Sequence, residues 1–448
     1  MPSETAPRTH RLSTMHATTA AHGLFAALAA ILTVLSLSAP LAAQYIPPGR
    51  PVDPGEIPPQ EALETNLKNA RWNLGKLRLS PWLGVRNASF VSNVTTRTDA
   101  EGEDDFTVTV GAGIRGYWRT GPKVLWAVQA LPEYVWWQDT DSKRRVNGRY
   151  GIGAFGYFNR LKFEASAQRL EVQSVFTPEL QQLTSTREDR LRLAVDFEFV
   201  RRFHLVLANE LTELANQEDE TLIFRRLDRD EDGLQAILRF QGSHLTFGIG
   251  YEDKTTDFAT TARQLSNTET AELAEFIFDG NRFDAAIRLA RRCLEPEAGS
   301  NFQTREETTG YLDLLWETGQ RSALLLYGRR NLYYALTDLN SSVLNTRYGA
   351  RFEIGGRKAV FAWFAEVGDD DFDALPSVAV RRADDVTSAG VQMAFKFRRL
   401  LQAGLRISET DYDSNIDAFD RDFLTISTSI ELGEILRRLR LGSDGDEW

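Results

Sequence analysis

FEIGGRKAVFAWF, residues 352–364, holds two runs of strand-forming residues on either side of a glycine pair. Upstream, Tyr348, Ala350, Phe352 and Ile354 share one face; downstream, Ala359, Phe361, Trp363, Ala365 and Val367 share one. Gly355-Gly356 reads as a tight two-residue hairpin turn. Arg347, Arg351 and Glu353 occupy the opposite face. A hairpin so divided poses one question: which face meets water.

The pattern recurs. Turn signals stand at RTGPK (119–123), FNRLK (158–162), VRRFH (200–204), FQGSH (240–244), FDGNR (278–282), ETGQR (317–321), IGGRK (354–358) and FRRLL (397–401). They lie about 40 residues apart, the length of one hairpin and one loop. Helical solenoids repeat over similar lengths, so periodicity within the repeat decides. It is two. In 189–202, Leu191, Leu193, Val195, Phe197 and Phe199 alternate with Arg190, Arg192, Ala194, Asp196 and Glu198. Leu424, Ile426, Thr428, Ile430 and Leu432 alternate with Phe423, Thr425, Ser427, Ser429 and Glu431. Looser acidic stretches, such as QDTDSKRR, ANQEDET and DYDSNID, separate the hairpins.

Eight short turns and nine longer connections predict an all-β, antiparallel up-and-down transmembrane β-barrel of about 18 strands (16–18). Its short turns would be periplasmic and its longer loops extracellular. So many strands enclose a space too wide for side chains to fill. The apolar face must then meet lipid and the charged face water, while closure pairs every backbone N–H and C=O. A soluble β-propeller is the competing fold, but its strands are short and grouped in fours; the windows here are long enough to cross a bilayer. Aromatic pairs at Trp136-Trp137, Tyr157-Phe158 and Tyr333-Tyr334 are expected in interfacial girdles.

The N-terminus agrees with export. Residues 24–43, LFAALAAILTVLSLSAPLAA, follow Arg8 and Arg11 and close on small residues, so residues 1–43 read as a signal peptide. An N-terminal membrane anchor is the alternative, but a Pro-rich stretch follows the apolar run directly. The chain carries −11; removing Glu4, Arg8 and Arg11 with the leader makes it −12, which argues against nucleic acid. Cys293 is the single cysteine and forms no intrachain disulfide. Residues 44–76 form a Pro-rich periplasmic lead-in, with a short helix expected within 58–75 from the shared face of Leu63, Leu67, Ala70 and Leu74. That helix reads as a plain lead-in, a plug or a docking arm. The barrel is expected over 77–433 and a C-terminal tail over 434–448.

Hairpins such as VRRFHLVLA and FRRLLQAGL, following a signal peptide, resemble those of the outer-membrane β-barrel porins associated with exopolysaccharide loci. The resemblance implies a cell outer membrane location and passage of solute or glycan. Its partners would be outer-membrane lipid, lipopolysaccharide and envelope glycan-export components. One departure is the ending: Trp448 follows GEILRRLRLGSDGDE, which does not alternate as a strand.

No catalytic residue and no cofactor is expected. Outside the leader region only His204 and His244 remain, both beside short turns, and neither adjoins a serine elbow. A barrel-borne hydrolase is therefore a minor alternative. DRDEDG offers Asp228, Asp230, Asp232 and Gly233 as half of a calcium loop, but Arg239 stands where a bidentate Glu belongs, so the site is a weak metal candidate. The charged set expected to line the lumen is Arg190, Arg192, Asp196, Glu198, Arg239, Arg288, Arg292, Arg347, Arg351, Glu353 and Arg406. The function expected is a porin-like channel for small hydrophilic solutes or saccharides. The alternative is a non-conducting structural or assembly component of exopolysaccharide export. No long infolded constriction loop is evident in the sequence.

Overall fold

The computed structural model describes residues 57–93, 103–175, 183–217, 228–259, 265–300, 302–335, 340–356, 358–374, 380–397 and 401–433. The expected signal peptide, most of the Pro-rich segment and the tail lie outside these residues. Among the described residues, eighteen long strands follow one another: β1 (Leu77–Val91), β2 (Asp105–Thr120), β3 (Val124–Trp137), β4 (Arg145–Tyr157), β5 (Leu161–Val175) and β6 (Leu183–Val200); β7 (Phe203–Asn216), β8 (Arg229–Gln241), β9 (Leu245–Phe258), β10 (Asn267–Asp279), β11 (Phe283–Pro296) and β12 (Arg305–Gly319); β13 (Ser322–Tyr334), β14 (Asn340–Gly355), β15 (Ala359–Ala374), β16 (Ala383–Lys396), β17 (Leu401–Ser414) and β18 (Arg421–Leu432). Each pairs antiparallel with the next, and β18 pairs with β1. The sheet is a closed up-and-down barrel without edges.

Alternation decides which face is outside. On β6, Leu193 (48% exposed), Val195, Phe197 and Phe199 stand outward, while Ala194 and Asp196 between them are buried. The opening hairpin behaves alike: Tyr348, Phe352, Ile354, Trp363 and Val367 are exposed, and Arg347, Glu353, Ala362 and Glu366 are buried. Exposed apolar side chains of this kind recur on strand after strand, far beyond what a water-soluble surface carries. They form a lipid-facing belt, and the protein is an outer-membrane barrel.

Aromatic pairs mark the lower edge of that belt, each beside a short turn. Trp118 stacks on Trp126 (5.4 Å), Phe158 on Phe163 (6.1 Å) and Phe352 on Trp363 (6.0 Å), while Phe203 meets Phe240 edge-on (5.4 Å). The girdle expected from adjacent aromatic pairs is corrected here. Neighbouring residues on a strand face opposite ways, so Trp137 and Tyr157 turn inward and are buried. The opening turn is corrected too: Gly355 stays in the ladder opposite Val360, and the Gly356 N–H donates to the Ala359 carbonyl (2.8 Å), so the chain reverses between those two residues.

Two features depart from a plain tube. At the periplasmic end, helix α1 (Gln60–Asn69) precedes a three-residue strand, Trp72–Leu74, which pairs with Leu77–Leu79 through a turn whose Gly75 has φ +63°. Leu74 thus leaves the expected helical face and lies 70% exposed. At the extracellular end, the β12–β13 ladder stops at the Gly310–Arg330 pair. Gly310 has φ +153°, and a Cβ there would stand 2.1 Å from the Arg288 carbonyl oxygen, so the parting point requires glycine. Beyond it, residues 331–334 of β13 pair only with β14.

Candidate functional site: the barrel interior

The inward faces carry paired charges. Arg190 binds Glu188 (2.6 Å) and approaches Glu210 (3.3 Å); Arg192 lies between Glu164 (3.4 Å) and Glu210 (3.3 Å). Asp196 takes Lys162 (2.9 Å) and His204 (2.7 Å). Glu198 accepts the Arg202 N–H (3.4 Å) at the short turn. Arg288 holds both Glu252 and Glu275 at 3.1 Å, and Arg292 bonds Glu269 and reaches Glu252 (3.5 Å). Arg347 binds Asp370 (2.8 Å) and two backbone carbonyls, of Thr346 (2.8 Å) and Asp369 (2.9 Å). Arg351 contacts Gln392 (3.2 Å) and Glu353 (3.5 Å), and Arg406 lies over the Phe364 ring (5.1 Å).

Glycine lets these pairs span strands. Arg239, Gly248 and Glu275 are direct register neighbours on β8, β9 and β10. A Cβ on Gly248 would sit 2.6 Å from a Glu275 oxygen. The bare backbone is the floor over which the Arg239 guanidinium crosses to Glu275, with the second contact at 3.2 Å. Register then continues from Glu275 to Arg288, Tyr311, Arg329 and Arg347. Arg329 closes on Asp313 (2.5 Å), and the Tyr311 ring stands between the Arg288 (5.9 Å) and Arg329 (6.0 Å) guanidinium groups. Most charges on this wall are matched locally, within one strand or across one or two strands along the wall.

The sequence reading found eight inward arginines but missed Arg329 and most of the carboxylate partners: Glu188, Glu210, Glu252, Glu269, Glu275 and Asp370. All have the same inward parity. Apart from i,i+2 contacts such as Arg190–Glu188, which carboxylate meets which arginine depends on register between strands, and only the matching of whole ladders sets that.

The weak calcium candidate is corrected. β8 begins at Arg229, so Asp230 and Asp232 stand on an extended strand, exposed on its outer side, and Asp228 accepts the Asn216 N–H (2.5 Å). A strand holds alternate side chains apart along one face and cannot wrap them round a cation as a loop does. In DYDSNID, likewise, Asp411 and Asp413 belong to β17, and Asn415 bridges to the Ala383 N–H (2.9 Å) and the Arg381 carbonyl (2.8 Å). His204 faces Asp196, and His244 faces the Asp279 carbonyl (2.9 Å).

Both ends of the lumen are narrowed. At the extracellular mouth Tyr334 meets Phe258, the last residue of β9, edge-on (4.9 Å), and the Arg229 guanidinium lies over the Tyr334 ring (5.3 Å). Strands β10, β11 and β12 stand between β9 and β13 in the wall, so this contact forms only because the β13–β14 hairpin leans inward. The infolded element absent from the sequence reading is this hairpin. At the periplasmic end, Leu63 of α1 packs on the inward residues Tyr117, Leu125, Ala127, Phe155 and Tyr157. Glu64 pairs with Arg119 (2.6 Å), and the Tyr157 hydroxyl donates to the Pro58 carbonyl (2.5 Å). The Gln60 amide, together with Arg119, holds the Glu64 carboxyl below its ordinary range.

No known protein-family model matches the chain, and no curated protein sequence matches it. Solved structures of similar overall shape include Pseudomonas aeruginosa OpdQ, at 11% identity and TM-score 0.48, covering 80% of this chain and 98% of that one. Acinetobacter baumannii OccAB2 is similar at 11% identity and TM-score 0.49, covering 79% and 97%. The outer membrane protein opdK of Pseudomonas aeruginosa is similar at 10% identity and TM-score 0.47, covering 79% and 98%. The assignment of the barrel to the membrane rests on its own closure and lipid belt.

Proposed function

We propose that the barrel is a channel for small hydrophilic solutes, with hydroxyl-rich saccharides as the best-suited class. The observation that carries this reading is the inward wall of matched ion pairs. Paired guanidinium and carboxylate groups offer donors and acceptors to a neutral polar solute without a large field of one sign. A strongly single-signed wall would instead select ions.

Passage is testable by solute uptake into proteoliposomes carrying the full chain. Swelling should be faster with arabinose or glucose than with a tetrasaccharide, and lipid-only vesicles should not respond. Equal rates for all solutes, or none above the lipid control, would contradict the reading. A second reading, a non-conducting component of glycan export, is favoured by the narrowing at both mouths. Under it, the folded barrel admits no solute. The docking-arm version of that reading loses support from α1, which turns into the barrel and does not stand free in the periplasm.

A further inference from the structure

We propose that α1 is a displaceable plug of the periplasmic mouth, seated by Leu63 in an apolar socket on the inner wall of β2, β3 and β4. The proposal rests on the channel reading above, since a plug has meaning only where there is a pore.

Three observations support it independently. First, the socket is specific. Much of the inner wall carries charge and glycine, yet where α1 lies it presents Tyr117, Leu125, Phe155 and Tyr157, and these form one buried cluster with Leu63. An aromatic patch facing a water-filled lumen would be costly if uncovered, so the wall is built to receive the helix. Second, the seat is shallow. Leu63 is the one buried residue of α1 among those described, with Ile57, Leu67 and Ala70 only partly buried around the cluster. Glu64–Arg119 is half-exposed, so salt and water weaken it. Third, the helix holds little structure of its own. It spans ten residues, and Pro59 at its N-cap supplies no side-chain bond; a helix this short is marginal unless packed. Its C-terminal side is tied separately, to the barrel rim. The Arg71 N–H donates to the Leu79 carbonyl (3.0 Å), and the Arg71 guanidinium reaches the Gly433 carbonyl (3.3 Å). The tether therefore stays with the rim while the helix leaves.

The test uses the full chain in a Cys293→Ser background. Ala127→Cys places a thiol beneath α1, where Ala127 is 1% exposed. With α1 seated, a bulky water-soluble maleimide should label it slowly. Adding Leu63→Asp sets a carboxylate against the aromatic socket and should speed labelling at least tenfold. In planar bilayers the same Leu63→Asp change should raise the mean conductance or remove a resolved closed level. Deleting residues 44–70 should act alike and guards against a local effect of the aspartate. Equal labelling rates with and without Leu63→Asp would overturn the proposal. So would faster labelling with conductance unchanged in channels that do conduct. If labelling accelerates and no form conducts, the channel reading has failed and α1 is no plug, only a detachable helix.

Discussion

At the scale of single residues, the interior depends on charges that are mostly matched by a close partner. Glu275 serves two arginines, Arg239 and Arg288, and is 2% exposed. Glu275→Gln takes one counter-charge from each of Arg239 and Arg288, and the expected loss is about 1–3 kcal/mol. Equilibrium unfolding by urea in detergent, compared with the parent, measures it. Arg347→Glu goes further, placing a carboxylate beside Asp370 and Glu366. The reversal potential in a salt gradient should move toward cation preference. Arg291, exposed on the outer wall against Glu306, is the control: Arg291→Glu should leave selectivity unchanged. This scale was also the least legible in the sequence. Parity sorted Arg190, Arg288 and Arg347 to one face at once. Their pairing with Glu210, Glu252 and Asp370 needed the register between strands, and no period-two pattern contains it.

Hairpins and the helix form the next scale. Among the described residues, short turns stand where the turn residues place them, as between Thr120 and Val124, Tyr157 and Leu161, and Asp279 and Phe283, because Gly, Asn and basic pairs punctuate long alternating runs. What the pattern did not convey is how an element leans once formed. Tyr333-Tyr334 reads as a girdle pair in one dimension. In the barrel, β13 parts from β12 beyond the Gly310–Arg330 pair, and Tyr334 crosses the mouth to Phe258. Tyr334→Ala removes that bridge, and single-channel conductance should rise by a factor on the order of two if the mouth limits flow. The helix shows the same limit. Leu63, Leu67 and Ala70 were legible as one face, and Leu74 was not separable from them until its strand pairing with Leu77 was seen. Which surface that face would cover could not be read, because the socket comes from three strands between residues 117 and 157.

For the whole molecule, one physical requirement organises the rest. Eighteen strands leave an interior that side chains do not fill, so the apolar face turns out and the ion pairs turn in. The outward belt is then a solvent-facing surface whose solvent is lipid. Ile249, 52% exposed on β9 within that belt, tests this without touching the lumen. Ile249→Arg should destabilise the folded barrel in phospholipid by about 2–4 kcal/mol, read from reversible unfolding in liposomes. A change within a few tenths would mean that the face is not in the bilayer. The most direct measurement of the central claim is the single-channel current of the folded full chain in a planar bilayer. A steady conductance that scales with salt concentration is the result expected of an open, water-lined pore. A folded, heat-modifiable barrel that carries no current at any voltage, even after deletion of residues 44–70, would contradict it.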